Sequence, residues 1–438
     1  MLFHLFTLFL AASSCAGQIL YDEYIYTPAA PTLQHVSVLF RHGARSPIST
    51  YALDPNSHPD VWPQGLGRLT REGLKQVYQL GRWLRERYSA VLSVAWRYNQ
   101  VVVRSSAEDR ELNSAAALSA GLYSEYFLRS PNERFDEEMP WSPVPVHSAP
   151  PKMDMEIDTA DSCTRLQQIE AELHQDASVV KFLQSINSTR SILAAKLNQS
   201  FDTVQSLSFL YDTFRVELSF LYDTFKVEKE NNLTLADWAE PLMPTLDLAR
   251  RRDFQFLAVT HEQKVLSAGP LLQKIVNNML LKHDIGLNAV NMSLFAVHDT
   301  NLAVQLITID NYDNRVPDYA TALLYELHRH EKNGTYFVKM YYHNNTYAQS
   351  PMRELKLTTC DTECLLDDFI YHVSEFMPKD LTEQCQILTP PPQPSFLDTN
   401  RTAVILIAPF FAIFVSAIIF AIASKIRKCC CLRNYELF

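Results

Sequence analysis

The densest chemistry in the chain lies in Arg41-His42-Gly43-Ala44-Arg45-Ser46-Pro47. Two guanidiniums flank one imidazole, and planar donor forks around a nucleophilic nitrogen are what a phosphate dianion requires. The same cations depress the imidazole pKa, so a nitrogen lone pair stays available in acid. Gly43 lets backbone come close. R-H-G alone arises often by chance, whereas the full R-H-G-x-R-x-P behind an apolar run is specific. Two later positions supply what this segment lacks. Arg104 follows the run at 101–103 and precedes a polar, helix-starting stretch that ends in Arg110, and His298-Asp299-Thr300 follows the run at 294–297 in the same way. An isolated His-Asp pair is ordinarily a helix cap, and its position behind a strand is what raises it. The set then holds phosphate donors, a nucleophile and a carboxylic acid able to protonate a leaving oxygen. No metal-ligand spacing accompanies it, so the expected site uses neither metal nor other cofactor.

These residues need elements to hold them. Short apolar runs at 36–40 (VSVLF), 101–103 (VVV), 254–259 (FQFLAV) and 294–297 (LFAV) are each followed by polar residues and, usually, a helical segment. That alternation predicts an α/β fold with a mixed, mostly parallel sheet buried on both faces by helices. In such sheets ligands gather at the carboxyl ends of the strands. The clearest helix is 71–88, with Leu74, Val77, Tyr78, Gly81 and Leu84 on one face and Thr70 as its N-cap. Strand signals vanish between 139 and 245, which predicts a smaller α-helical insertion dividing an α/β domain into 18–138 and 246–388.

Inside the insertion, 207–217 (LSFLYDTFRVE) is repeated at once as 218–228 (LSFLYDTFKVE), differing only at Arg215 and Lys226. Eleven residues make about three helical turns, so the copies keep their facing. Leu207, Leu210, Phe214, Leu218, Leu221 and Phe225 then form one apolar stripe. Two short copies do not make a solenoid, and the plain reading is a duplication or gene-model error without a functional role.

The termini specify a route. Residues 2–10 are almost wholly apolar, and Ser14 and Ala16 are the small residues signal peptidase accepts, so 1–17 reads as a signal peptide. The uncharged run 403–424, at about 1.5 Å per residue, spans the roughly 30 Å hydrocarbon core. Lys425, Arg427, Lys428 and Arg433 follow it, which orients the chain as a type I single-pass membrane protein with its bulk in a lumen or outside. Pro390, Pro391, Pro392 and Pro394 make 389–402 a stiff spacer, and 425–438 is a cytosolic tail. There Tyr435-Glu436-Leu437-Phe438 has the Y-x-x-Φ form that clathrin adaptors read, with Tyr435 and Phe438 as the two docking residues. Cys163, Cys360, Cys364 and Cys385 are luminal and allow three pairings. Sequons at Asn187, Asn198, Asn232, Asn333 and Asn344 fit a secretory route, while Asn291 abuts a buried strand and Asn400 the bilayer. With 49 Asp and Glu against 39 Lys and Arg, and a formal net charge of -10, sequence-independent binding to nucleic acid is excluded.

R-H-G-x-R-x-P with a distant H-D resembles the histidine acid phosphatases, in particular the animal prostatic and lysosomal group. GLGRLTREGLKQVYQLGRWLRERY from Gly65, RSSAEDR from Arg104, PVPVHSAP from Pro143, NLTLADW from Asn232, PDYATALLYELH from Pro317 and FVKMYYHN from Phe337 are similar in order and spacing. The resemblance implies a phosphoglycerate-mutase-like sheet and a metal-independent acid phosphatase acting on phosphate monoesters. His42 would be the nucleophile that forms a phosphohistidine, Arg41, Arg45, Arg104 and His298 the phosphate ligands, and Asp299 the proton donor. It also implies bridges Cys163–Cys385 and Cys360–Cys364, with Val227 and Ala322 where a third pair is expected, and it implies a homodimer. A lysosomal or endosomal lumen, or the cell surface, is the expected location. The competing reading is a catalytically silent sorting or adhesion protein on a phosphatase fold.

Overall fold

The computed structural model describes residues 29–386 apart from 52, 131, 133, 140, 174–176, 198–206, 287–288 and 345–351. The signal peptide, the spacer, the 403–424 span, the tail with Tyr435 and Phe438, Asn198 and Asn400 lie outside the described residues. Among the described residues no helix is long and apolar enough to cross a membrane.

The strands are β1 (Leu33–Arg41), β2 (Val101–Ser105), β3 (Val146–His147), β4 (Met292–Val297), β5 (Ala322–Arg329), β6 (Tyr336–His343), β7 (Arg353–Leu355) and β8 (Cys364–Leu365). They form one sheet in the order β3-β2-β4-β1-β5-β6-β7, with β8 on β6. The pairs β3/β2, β2/β4 and β4/β1 are parallel. From β1 onward, β5, β6, β7 and β8 pair antiparallel. The sheet is mixed, as expected, but it is not mostly parallel: it is parallel on one side of β1 and antiparallel on the other.

The α-helices among the described residues are α1 (Arg71–Arg87), α2 (Asp109–Arg129), α3 (Thr159–Ser162), α4 (Thr164–Leu173), α5 (Ala177–Ser185), α6 (Asn187–Leu197), α7 (Leu207–Glu230), α8 (Met243–Phe256), α9 (His261–Ser267), α10 (Gly269–Ile285), α11 (Asp299–Thr308), α12 (Leu366–Ser374) and α13 (Leu381–Gln384). Strand alternation decides the two cores. Val36, Val38 and Phe40 of β1 and Leu294 and Ala296 of β4 pack toward α1 and α2. Leu39, Phe295 and Val297 point the other way, into a core built with α10, α11 and α12. The α1–α2 contact is tight because two glycines face backbone: a Cβ on Gly81 would lie 2.0 Å from the Leu118 carbonyl oxygen, and one on Gly121 2.0 Å from that of Tyr78.

Helix α1 starts as the sequence predicts, with the Thr70 hydroxyl accepting from the Gly73 N–H at 3.0 Å. Leu74, expected on its inner face, is 42% exposed, and Leu80 and Trp83 are buried instead. The run 254–259 is not a strand. Phe254 continues the buried stripe Leu246, Ala249, Asp253 and Phe254 of α8, and helical spacing fixes it there. Both copies of the repeat lie in the single helix α7, where Leu218, Leu221 and Phe225 of the second copy are fully buried against α5, α6 and α8 residues. Cys163 is bonded to Cys385 and Cys360 to Cys364. Val227 and Ala322 are both buried without a bridge. Asn187, Asn232 and Asn333 are exposed; Asn344 is half-buried, and its side-chain oxygen accepts from Thr321.

Candidate active site

Parallel register brings the chemistry to one edge. Arg41 is paired with Val297, and Ser105 with Ala296, so the residues leaving β1, β4 and β2 emerge side by side at the carboxyl ends of adjacent strands. His42 leaves β1, His298 caps α11, Asp299 is its first residue, and Arg110 and Glu111 stand in the first turn of α2. Gly43 has a structural role here. A Cβ on it would lie 2.1 Å from the Gly73 carbonyl oxygen, so its glycine seats the loop against the start of α1.

His42 is buried, and its Nδ1–H donates to the Gly43 carbonyl at 2.8 Å, which leaves Nε2 as the lone-pair nitrogen. Burial first, then the charges of Arg41, Arg45 and Arg110, hold its pKa well below the ordinary value. His298 behaves oppositely. Burial opposes its charge, but Glu111, 2.6 Å from Nδ1, and Asp158, 3.5 Å from Nε2, raise its pKa to about 9. The two rings are 6.4 Å apart, the pKa of one pushed down and that of the other pushed up.

Arg41 donates to the Pro317 carbonyl at 2.6 Å, forms an ion pair with Asp299 at 3.0 Å and lies 4.2 Å over the Tyr319 ring. Arg45 is clamped by both oxygens of Asp223, at 2.9 and 3.0 Å; burial opposes its charge, but Tyr319 and then Asp223 raise its pKa. Asp223 belongs to the second copy of the repeat, so the duplicated segment does touch the site, contrary to its plain reading. Arg104 is not brought into the set. Its guanidinium pairs with buried Asp154 at 2.5 Å and approaches Glu156 at 3.8 Å. The third guanidinium beside His42 is Arg110, with its Nε 3.1 Å from Glu111. Asp299 is also unlike expectation. Burial favours its neutral form, but Arg41, then Arg250 at 3.6 Å and Arg45, hold the carboxyl well below the usual carboxylate range. The free site therefore holds Asp299 as an anion, not as the protonated acid the chemistry calls for.

A cavity of about 300 Å³ opens here, lined by His42, Arg45, Arg110, Arg250, His298 and Asp299 among others. His42, Glu111 and His298 place one nitrogen or oxygen each within 4.8 Å of one another, a spacing a metal ion can use. Three guanidiniums and a protonated imidazole surround that point, however, and their field favours an anion.

Residues 32–343 match the family model of the histidine phosphatase superfamily, branch 2. The chain belongs to this family. It is 32% identical to the lysosomal acid phosphatase of Homo sapiens over 369 residues, 83% of this chain and 82% of that protein. It is 33% identical to the prostatic acid phosphatase of Homo sapiens over 366 residues, 81% of this chain and 88% of that one. Among solved structures, the phytase from Citrobacter braakii superposes with a TM-score of 0.57 at 19% identity, covering 81% of this chain and 100% of that chain, a likeness of fold. Membership makes this chain an acid phosphatase, a hydrolase of the histidine phosphatase superfamily.

Five side chains of the histidine phosphatase site escape a reading by motif: Arg110, Glu111, Asp158, Asp223 and Arg250. Arg110 had a signal, since crevice groups come from the turn behind a strand and the first turn of the next helix rather than from the strand itself. Asp223 and Arg250 had none, because they come from α7 and α8, far along the chain, Asp223 to hold Arg45 and Arg250 to line the cavity.

Proposed function

We propose that this chain hydrolyses phosphate monoesters through a phosphohistidine on His42, without a metal ion and in an acidic compartment. The division of labour between the two histidines carries the reading. His42 has an unprotonated Nε2 in acid, whereas His298 stays cationic. Arg41, Arg45, Arg110 and His298 bind the phosphoryl oxygens, with Arg110 in the role expected of Arg104. Nε2 forms a bond to phosphorus while the ester P–O bond breaks, and the departing oxygen takes a proton. Water then attacks phosphorus, the P–N bond breaks, and inorganic phosphate leaves.

Asp299 delivers the leaving-group proton. It is ionised in the free site, so it takes up a proton only when the charge of the bound ester offsets Arg41 and Arg250. Below its second pKa of about 6 a phosphate group carries that proton with it, which supports activity in acid that declines as pH rises.

The test is rapid-quench labelling of the purified luminal part with a radiolabelled aryl phosphate, with and without EDTA. An acid-labile label that persists in EDTA and is lost in His42→Ala is expected. A chelator-sensitive reaction, or label retained by His42→Ala, refutes the mechanism.

The name of the lysosomal acid phosphatase relative supports a lysosomal location. On this reading 403–424 anchors the chain as a type I membrane protein and Tyr435 and Phe438 engage a clathrin adaptor. Tyr435→Ala then shifts the protein from internal compartments to the cell surface, and an unchanged surface-to-internal ratio in an uptake assay removes the tail from sorting. A homodimer is part of the same reading, checked by light scattering of the luminal part.

A further inference from the structure

Arg250 is the guanidinium of the cavity that the phosphoryl-transfer roles leave unused. It stands on α8, its side chain 22% exposed. One amino group donates to the Ser219 hydroxyl at 2.7 Å, a neutral partner, and the guanidinium lies 4.5 Å over the Phe254 ring. Its partner carboxylate, Asp299, is 3.6 Å away and is more closely engaged by Arg41 at 3.0 Å. Arg45, by contrast, is clamped by Asp223, and Arg110 pairs with Glu108 and Glu111. Arg250 therefore brings cationic charge into the cavity with weak ionic compensation.

Its location says which part of a substrate it meets. Asp299 marks the side on which the ester oxygen departs, and a donor to that oxygen works from about 3 Å. Arg250 stands 3.6 Å from Asp299 in the same cavity and outside the set assigned to the phosphoryl oxygens, so it is available to the alcohol that Asp299 protonates. Thr300, Ser267 and Val304 line the same cavity without charge, whereas Asp158, Asp161 and Glu170 line it too and repel an anion placed against them. We propose that Arg250 is a specificity-determining residue that binds a second anionic group on the leaving alcohol, so that phosphomonoesters carrying a carboxylate or second phosphate a few bonds from the ester oxygen are preferred. This rests on the phosphatase reading above, and Ser219, in the second copy of the repeat, acts as a positioning residue for it.

The experiment compares kcat/KM for phosphoglycolate and ethanediol bisphosphate with that for ethyl phosphate, which matches them in reach but lacks the second charge. Wild type, Arg250→Gln and Arg250→Lys are measured, with melting temperatures. Arg250 also acts on Asp299, an effect that both charged and uncharged substrates share, so the ratio isolates the second anion. One charge-assisted contact at a partly exposed site makes the wild-type ratio about tenfold in favour of the charged esters. Arg250→Gln brings it to within about threefold of unity, and Arg250→Lys keeps part of it. A preference for only one charged ester assigns the contact to carboxylate or to phosphate. A wild-type ratio near unity overturns the inference while leaving the phosphatase reading intact, and so does an unchanged ratio in a folded Arg250→Gln. Should Arg250→Gln fail to fold, the wild-type ratio and Arg250→Lys decide. Failure of wild type to hydrolyse any of the three overturns the phosphatase reading itself.

Discussion

Exchanging Arg110 and Arg104 for glutamine separates a phosphate ligand from a structural cation only six residues away in sequence. Arg110 lowers the pKa of His42 and lines the cavity. Removing one preorganised donor to a developing anion costs about 10²–10³ in rate. Arg110→Gln also leaves buried Glu111 with one cation fewer, 3.8 Å from His42 Nε2, which pulls the His42 pKa upward and removes nucleophile in acid. A fall in kcat/KM of at least about 100-fold follows, with the inhibition constant of inorganic phosphate rising alongside. Arg104→Gln acts elsewhere. Its partner Asp154 is 1% exposed, and breaking a buried pair on one side costs up to about 3–5 kcal/mol, less here because Arg104 is itself 16% exposed. The loss appears in the melting temperature, while kcat/KM per folded molecule stays within about threefold. The assay is initial-rate kinetics on an aryl phosphate in mildly acidic buffer, with thermal unfolding of the same samples. If Arg104→Gln abolishes turnover at an unchanged melting temperature, the assignment of roles is wrong.

Asp299→Ala slows alkyl phosphates far more than aryl phosphates, because a poor leaving group needs the proton and a nitrophenolate does not; equal losses remove Asp299 from the acid role. Glu228, fully buried beside Asp54, has its pKa pushed from 4.5 up to about 8 by burial and by that carboxylate. A group raised in the folded state loses stability as pH climbs from its unfolded value to its folded one, here between 4.5 and about 8, and His298 adds a loss between 6.5 and about 9. His35, His42 and His343, whose pKa values are lowered by burial, act in the opposite sense below 6.5, so the readout is the difference between wild type and Glu228→Gln, in which the wild-type advantage shrinks from 4.5 to about 8; an identical pH dependence in the variant refutes the account. Deleting 218–228 slides the first copy into the second copy's place, with Ser208 for Ser219, Asp212 for Asp223, Glu217 for Glu228 and only Arg215 for Lys226 changed. Because about three turns are removed, facing is kept to within roughly 20°. The shortened protein should hydrolyse normally, whereas Asp223→Asn, which no copy can replace, weakens phosphate binding. Normal activity in Asp223→Asn breaks the link between the repeat and Arg45.

The sequence by itself determined the parts of the site that are local. A buried strand followed by R-H-G-x-R, and another followed by H-D, state both the strand and the loop that leaves it, and the Thr70 cap states where α1 begins. Those signals are short-range periodicity and capping, which depend on neighbours within a few residues. Three outcomes required the tertiary structure. The run 254–259 has the composition of a strand, but the burial of Leu246, Ala249 and Phe254 carries α8 into it as far as Phe256. The direction of β5 to β8 is set by their pairing with β1 and with one another, which no local pattern encodes. The site's electrostatics were invisible for the same reason. Asp223 reaches Arg45 across 178 positions of sequence. Arg41 and Arg250 together hold the Asp299 pKa below its ordinary value against the effect of burial. A pKa or a binding preference is a sum over charges within a few ångströms, and folding alone decides which distant residues those are.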